Sequence, residues 1–300
     1  MDVAVLGVGA DGRKLAEKVA LAGEDVSFHA EDVGVVMDSI DRIERRLDDA
    51  VAAGDLSAEE RSAAVDRLGA TTELEGAVRD AAVVVDTVTD KGDPQARLAE
   101  IEEVAGRDAL IVTTATEGSV TAAAAGLRRP GRAVGFAIHG EPPLVEVVAT
   151  EQTTAEGLER AESFVETVAD EAVVVGDAPG TAVSRLTLAV EVEAMHLVAN
   201  GTAGVEAVDT AMEETRGERP LERADRAGLA QRLASLETLS GALGERFRPP
   251  QLLRERVAAG KTGVDASEGF YRWEGGDPTG SALDVPLPDD ETGLDGTDRG

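Results

Sequence analysis

Short apolar runs of strand-forming residues recur over residues 2–6, 26–29, 81–85, 110–113, 133–138, 144–148 and 172–175. Between them lie segments of helical character, notably 13–21, 95–105 and 155–168. Strand and helix patterns that alternate in this way predict an α/β domain on a parallel sheet with right-handed crossovers, ending near Gly176. Residues 33–68 interrupt the alternation with two helical patterns, Ile40-Ile43-Leu47-Val51 and Ala58-Arg61-Val65-Leu68. Ala53-Gly54-Asp55-Leu56-Ser57 breaks the helix between them, and Ser57 with Glu60 forms a capping box, so a helical hairpin is predicted between strands.

From Gly180 to Gly260 the pattern is helical almost throughout, with Leu186, Val190, Ala194 and Leu197 at steps of three and four. This predicts an all-α second domain. Beyond Trp273 the chain turns to Gly, Pro, Ser, Thr and Asp, and Glu274 to Gly300 is predicted as a disordered acidic tail. The expected organisation is therefore 1–178, 179–273 and 274–300, which suits a length beyond that of one hydrophobic core.

The first strand runs into Gly7-Val8-Gly9-Ala10-Asp11-Gly12, and a helix opens at once behind it. In that setting each glycine of a Gly-x-Gly-x-x-Gly turn has a purpose. Gly7 allows the tight turn, Gly9 lets backbone approach a pyrophosphate, and Gly12 lets helix and strand pack closely. The anion would rest on the free N–H groups of the helix start. Glu31, nineteen residues after Gly12, is placed to take the ribose hydroxyls and disfavour a 2′-phosphate, which points to NAD, and Asp32 could serve instead. Asp86 and Asp90 follow a central strand at the edge where open α/β sheets bind ligands, and are expected to line the nicotinamide side.

Charge narrows the partners. There are 59 acidic and 29 basic residues, a net charge of −30, and only four of the basic residues are lysines (Lys14, Lys18, Lys91, Lys261). Such a surface repels nucleic acid and anionic membranes, so neither is an expected partner, and it suits a salt-rich cytoplasm whose ions screen self-repulsion. Cysteine is absent, which excludes disulfides and thiolate chemistry and fits an intracellular protein. No apolar run is long enough to cross a bilayer, and no leader is expected before the first strand. The three histidines, His29, His139 and His196, have no metal-ligand spacing, and no metal is implied.

Several segments together resemble the 3-hydroxyacyl-CoA and 3-hydroxybutyryl-CoA dehydrogenases. They are Ile40-Asp41-Arg42-Ile43 to Leu47, Gly54-Asp55-Leu56-Ser57, Ala70-Thr71-Thr72-Glu73-Leu74, Leu144-Val145-Glu146-Val147-Val148 and Asp177-Ala178-Pro179-Gly180. Val208-Asp209-Thr210-Ala211-Met212, Phe247-Arg248-Pro249-Pro250, and Gly260-Lys261-Thr262-Gly263 with Gly269-Phe270-Tyr271 continue the series. The resemblance spans residues 1 to 273 and implies a Rossmann-type domain with an inserted helical hairpin, a helical substrate and dimerisation domain, and a homodimer. It also implies reversible hydride transfer between NAD and C3 of a 3-hydroxyacyl-CoA in fatty-acid metabolism, with a histidine as base and a glutamate supporting it.

Carried over by position, the family's pattern is matched only in part. Glu146 stands at the supporting glutamate, Thr116 at a serine that places substrate oxygen, and Ser184 at an asparagine that serves the thioester end, while Glu117 is a departure beside Thr116. The family's Gly-x-His-Phe-Phe-Asn-Pro aligns with Gly135-Phe136-Ala137-Ile138-His139-Gly140-Glu141, so Ala137 takes the histidine's place and His139 follows two residues later. Two strand residues return a side chain to the same face roughly 6.5 to 7 Å farther on, which makes His139 the candidate base. His29 and His196 are expected to be packing or surface residues. The departures leave open a non-catalytic or regulatory NAD(H)/acyl-CoA-binding paralogue and, more distantly, a β-hydroxyacid dehydrogenase for a small free acid.

Overall fold

In a computed structural model, which describes residues 1–88, 92–116, 118–140, 143–169 and 171–283, the chain opens with β1 (Asp2–Leu6), α1 (Ala10–Leu21), β2 (Asp25–His29) and α2 (Val33–Ala53). There follow α3 (Ala58–Val65), β3 (Leu68–Thr71), α4 (Leu74–Val78), β4 (Val83–Asp86), α5 (Pro94–Val104), β5 (Leu110–Thr113) and α6 (Val120–Ala124). The strands β6 (Ala133–His139) and β7 (Leu144–Ala149), helix α7 (Ala155–Val168) and strand β8 (Glu171–Gly176) complete the first of two units, Met1–Ala182.

Its strands form one sheet in the order β3-β2-β1-β4-β5-β6-β7-β8. The central strands are apolar at nearly every position because helices cover both faces. Leu15, Val19, Ile43, Leu47 and Phe164 pack on one face, and Val78, Leu98, Ile101 and Ala124 on the other. The predicted helical hairpin is present as α2 and α3, and Ser57 and Glu60 cap each other as the pattern requires.

Two expectations for this unit are corrected. Leu68, placed by pattern at the end of a helix, instead opens the edge strand β3 beside β2, a strand the pattern did not predict. Leu-Gly-Ala-Thr is too short and too exposed to show a period of two. The sheet is also not parallel throughout, for β7 runs antiparallel to β6 and carries β8 with it. Only residues 140–143 separate β6 from β7, enough for a hairpin and far too few for a crossover.

The second unit, from Val183, is built from α8 (Ala182–Ala199), α9 (Val205–Arg216), α10 (Pro220–Ala227), α11 (Leu229–Leu243) and α12 (Gln251–Ala258). Its core gathers Leu188, Met195, Leu221, Leu236, Phe270, Tyr271 and Trp273. The buried face of α8 is Leu188, Glu191, Val192, Ala194, Met195 and Val198, with Leu197 packed beside it, so Ala194 and Leu197 of the predicted stripe lie on the core side whereas Leu186 is 69% exposed. Apolar residues surround much of this helix, and Glu191 lies inside because Arg223 and Arg232 hold its carboxylate at 3.2 and 3.0 Å.

The tail does not begin at Glu274. Residue 274 ends β9 (Tyr271–Glu274), which pairs antiparallel with β10 (Asp277–Ser281) across Gly275 and Gly276, both at positive φ. Two such residues make the tight primed turn of a hairpin. Asp225 fixes the hairpin by accepting from Phe270 N, Tyr271 N and Trp273 Nε1 at 2.8, 2.9 and 3.0 Å. Residues 284–300 of the predicted tail lie outside the described residues.

Candidate active site

At the carboxyl end of β1 the chain turns through the three glycines. Gly7 has φ +107°, and a Cβ there would come within 2.6 Å of Thr87 Oγ1. A Cβ on Gly12 would lie 2.2 Å from Gly7 O, whereas one on Gly9 would meet no protein atom within 4 Å. Gly7 and Gly12 are therefore required by the protein's own packing. Gly9 is not, and the space above it is left for a ligand. Helix α1 starts on Gly9 with no side-chain cap, so its first N–H groups suit an anion. Thr87 secures the turn from below by donating to Leu6 O at 2.9 Å. This cradle fits the diphosphate of a dinucleotide.

Beyond β2, Glu31 is exposed, while Asp32 is spent as the cap of α2, accepting from Val35 N at 3.0 Å. Glu31 remains the candidate for the ribose side. His29 is buried at the end of β2, and burial lowers its pKa, disfavouring the protonated ring. Asp86 differs from its expected role. Its carboxylate is 3% exposed and takes Arg97 Nε at 2.8 and 2.9 Å, so it anchors the first turn of α5 and has little surface with which to line a cofactor groove. Asp90 lies outside the described residues, as does Glu117.

The catalytic candidates meet on the other half of the sheet edge. On β6, Gly135, Ala137 and His139 share a face, and the antiparallel register sets Glu146 opposite Ala137 and Val148 opposite Gly135. Glu146 is fully buried, and His139 Nε2 lies 2.7 Å from its Oε2. With Nε2–H donated to the carboxylate, Nδ1 carries the lone pair that can take a proton. Thr116, also buried, packs on this same face, its Cγ2 standing 3.0 Å from where a Cβ on Gly135 would project. Ser184 occupies the first turn of α8 in the second unit. His196 is exposed farther along that helix.

Sequence reasoning missed two side chains here. Arg97 carries no motif, and only the fold shows it under Asp86. Asp177 was noticed as a landmark but given no task. It accepts from Ser119 Oγ, Val120 N and Thr121 N at the start of α6. Burial raises its pKa, but these hydrogen bonds, Thr121's foremost, outweigh burial and hold it below the ordinary value.

Comparison with known proteins identifies the family. The family profile "3-hydroxyacyl-CoA dehydrogenase, NAD binding domain" matches residues 2–178, and "3-hydroxyacyl-CoA dehydrogenase, C-terminal domain" matches residues 180–273. A 3-hydroxybutyryl-CoA dehydrogenase from Mycobacterium tuberculosis is 30% identical over 283 residues, covering 90% of this chain and 98% of that protein. One from Bradyrhizobium diazoefficiens is 29% identical over 286 residues, covering 92% and 96%. The crystal structure of (S)-3-hydroxybutyryl-CoA dehydrogenase from Ralstonia eutropha superimposes with a TM-score of 0.86 at 25% identity, covering 91% of this chain and 99% of that one. With both domains matched and the glycine cradle in place, the chain belongs to the 3-hydroxyacyl-CoA dehydrogenase family of NAD-dependent oxidoreductases.

Proposed function

We propose that this protein interconverts 3-hydroxyacyl-CoA and 3-oxoacyl-CoA, with His139 as general base and Glu146 as the residue that orients it. The observation that carries this reading is the 2.7 Å contact between His139 Nε2 and the buried Glu146 carboxylate. It favours an enzyme over the non-catalytic paralogue, because a buried carboxylate holding an imidazole is the arrangement that general-base chemistry needs.

NAD, when bound at the glycine turn and Glu31, supplies the acceptor for the hydride that leaves C3 with its electron pair. The hydroxyl proton passes to His139 Nδ1 as the C3–O bond becomes a carbonyl, and Glu146 stabilises the imidazolium that results. In the reverse direction the same nitrogen returns the proton. Thr116 offers a hydroxyl to the substrate oxygen, and Ser184 is assigned to the thioester end through its position in the family pattern. Asp86 takes part through Arg97, whose guanidinium it holds at the first turn of α5.

The finer assignments are a place in fatty-acid metabolism, a homodimer formed through the second unit, and a salt-rich cytoplasm as the working environment. The dimer rests on the family resemblance, and the net charge of −30 with four lysines supports the salt. Among the described residues no helix is long and apolar enough to cross a membrane.

The test is NADH oxidation with acetoacetyl-CoA in molar KCl. Turnover is expected. Binding of NADH by calorimetry with no turnover of any 3-oxoacyl-CoA would instead favour the paralogue and overturn the catalytic reading.

A further inference from the structure

We infer that Asp177 is a positioning residue that clamps the Thr116 loop onto the face of β6 bearing His139, and so sets where the substrate oxygen is met. This rests on the reading of Thr116 and His139 proposed above.

The loop between β5 and α6 is held at both ends. At its start, Thr114 N donates to Asp86 O at 3.0 Å and Ala115 N to Thr113 Oγ1 at 3.2 Å. At its far end Asp177 accepts from Ser119 Oγ at 2.8 Å, Val120 N at 3.0 Å and Thr121 N at 2.7 Å. The amides of Val120 and Thr121 belong to the first turn of a helix and have no intrahelical partner, so a carboxylate arriving from another element is what satisfies them. Ser119 is shared: its oxygen caps α6 by accepting from Ala122 N at 3.0 Å while its proton goes to Asp177.

What the clamp presses on is the catalytic strand. Val120 is fully buried, and its Cγ2 and that of Thr116 stand 2.7 and 3.0 Å from the place a Cβ on Gly135 would occupy. Thr116 and Val120 therefore lie directly on β6 at a residue kept bare for them, on the face that Ala137, His139 and Glu146 share. Without Asp177, the far end loses all three of these bonds, and Thr116 loses its fixed height above that face. Asp177 also immediately follows β8, so the same carboxylate ties this loop to the last strand of the sheet.

The experiment compares Asp177→Asn, Asp177→Ala, Thr116→Val and the double variant Asp177→Asn with Thr116→Val in molar KCl. Asp177→Ala is expected to lower kcat/KM for acetoacetyl-CoA by about tenfold while the calorimetric Kd for NADH stays within about twofold. Asp177→Asn, which keeps one acceptor oxygen, should fall between it and the parent, and it gives the reading if the alanine variant does not fold. Because Asp177 acts through Thr116, the double variant should be no worse than its worse single parent. Strictly additive losses, an unchanged kcat/KM in folded Asp177→Ala, or a parallel loss of NADH affinity would each overturn the assignment. A parent protein that never turns over acetoacetyl-CoA would instead sink the catalytic reading beneath it, and is seen before any variant is compared.

Discussion

Nε2 of His139 lies 2.7 Å from Oε2 of Glu146, although the residue facing Glu146 across the β6–β7 ladder is Ala137. The contact is a diagonal one, between residues on neighbouring antiparallel strands displaced by two positions. Such neighbours are roughly 7–8 Å apart at Cα, within the reach of a glutamate and an imidazole. A base two residues from the family's usual place can thus still engage the same buried carboxylate.

That geometry makes the first prediction. His139→Ala should lower kcat by about 10²- to 10⁴-fold with NADH affinity unchanged within about twofold, and Glu146→Gln should lower kcat in the same direction. Steady-state NADH oxidation with acetoacetyl-CoA reads the first quantity and calorimetry the second. Parental turnover in His139→Ala would remove His139 from the mechanism.

Since Ala137 stands opposite Glu146, a histidine there would meet the carboxylate from the facing position. Ala137→His introduced into the His139→Ala background should recover at least about tenfold of the lost kcat, a fraction of what general-base catalysis contributes. No recovery in a folded double variant would mean that the shifted base has reshaped the site around itself.

The glycine turn predicts two opposite phenotypes. Gly9→Val meets open space, so its melting temperature should stay within about 2 °C of the parent while the Kd for NADH rises by more than about tenfold. Gly12→Ala forces a methyl group against Gly7 O and should cost about 1–3 kcal/mol of stability, read by denaturant titration. Equal effects of both on stability would show that Gly9 also serves packing.

Arg97→Ala strips the buried Asp86 carboxylate of its cation. Asp86 is pushed upward by burial and drawn back by Arg97, so losing the arginine should destabilise the first unit by about 3–5 kcal/mol, whereas Asp86→Asn should cost less. Denaturant titration of both variants in molar salt measures the difference, and a milder loss for Arg97→Ala than for Asp86→Asn would contradict it.

Acid should act through Asp177 and Glu102. For both, burial raises the pKa, but hydrogen bonds prevail, from Thr121 and Ser119 on Asp177 and from Arg128 N and Arg132 on Glu102, and each ends below its ordinary 3.8 or 4.5. A carboxylate depressed in the folded state adds stability that is complete above its unfolded pKa and is lost as pH falls through the folded one. The melting temperature should drop more steeply below about pH 4.5 in the parent than in Asp177→Asn or Glu102→Gln. Parallel curves for parent and variants would refute these two groups as the source.

Much of the fold was legible because it is local. Continuous apolar strands, the capping box at Ser57 and Glu60, and the glycines before α1 follow from rules that act over a few residues. The reversal at β7 was in principle legible too, from the four residues between His139 and Leu144. β3 and the β9–β10 hairpin were not, since Leu68–Thr71 has no period and the strand holding Asp277 and Pro278 is defined by its partner, not by its composition.

In the site the division is similar. Sequence alone singled out Gly7, Gly9 and Gly12, because spacing into a helix is a local property, while His139 and Glu146 became candidates through the resemblance to the family's pattern. Tertiary structure alone decided that His139 meets Glu146 diagonally, that Asp86 turns inward to Arg97, and that Asp177 reaches back to α6. Those contacts join residues from different elements whose approach depends on sheet order and packing, which no stretch of sequence encodes by itself.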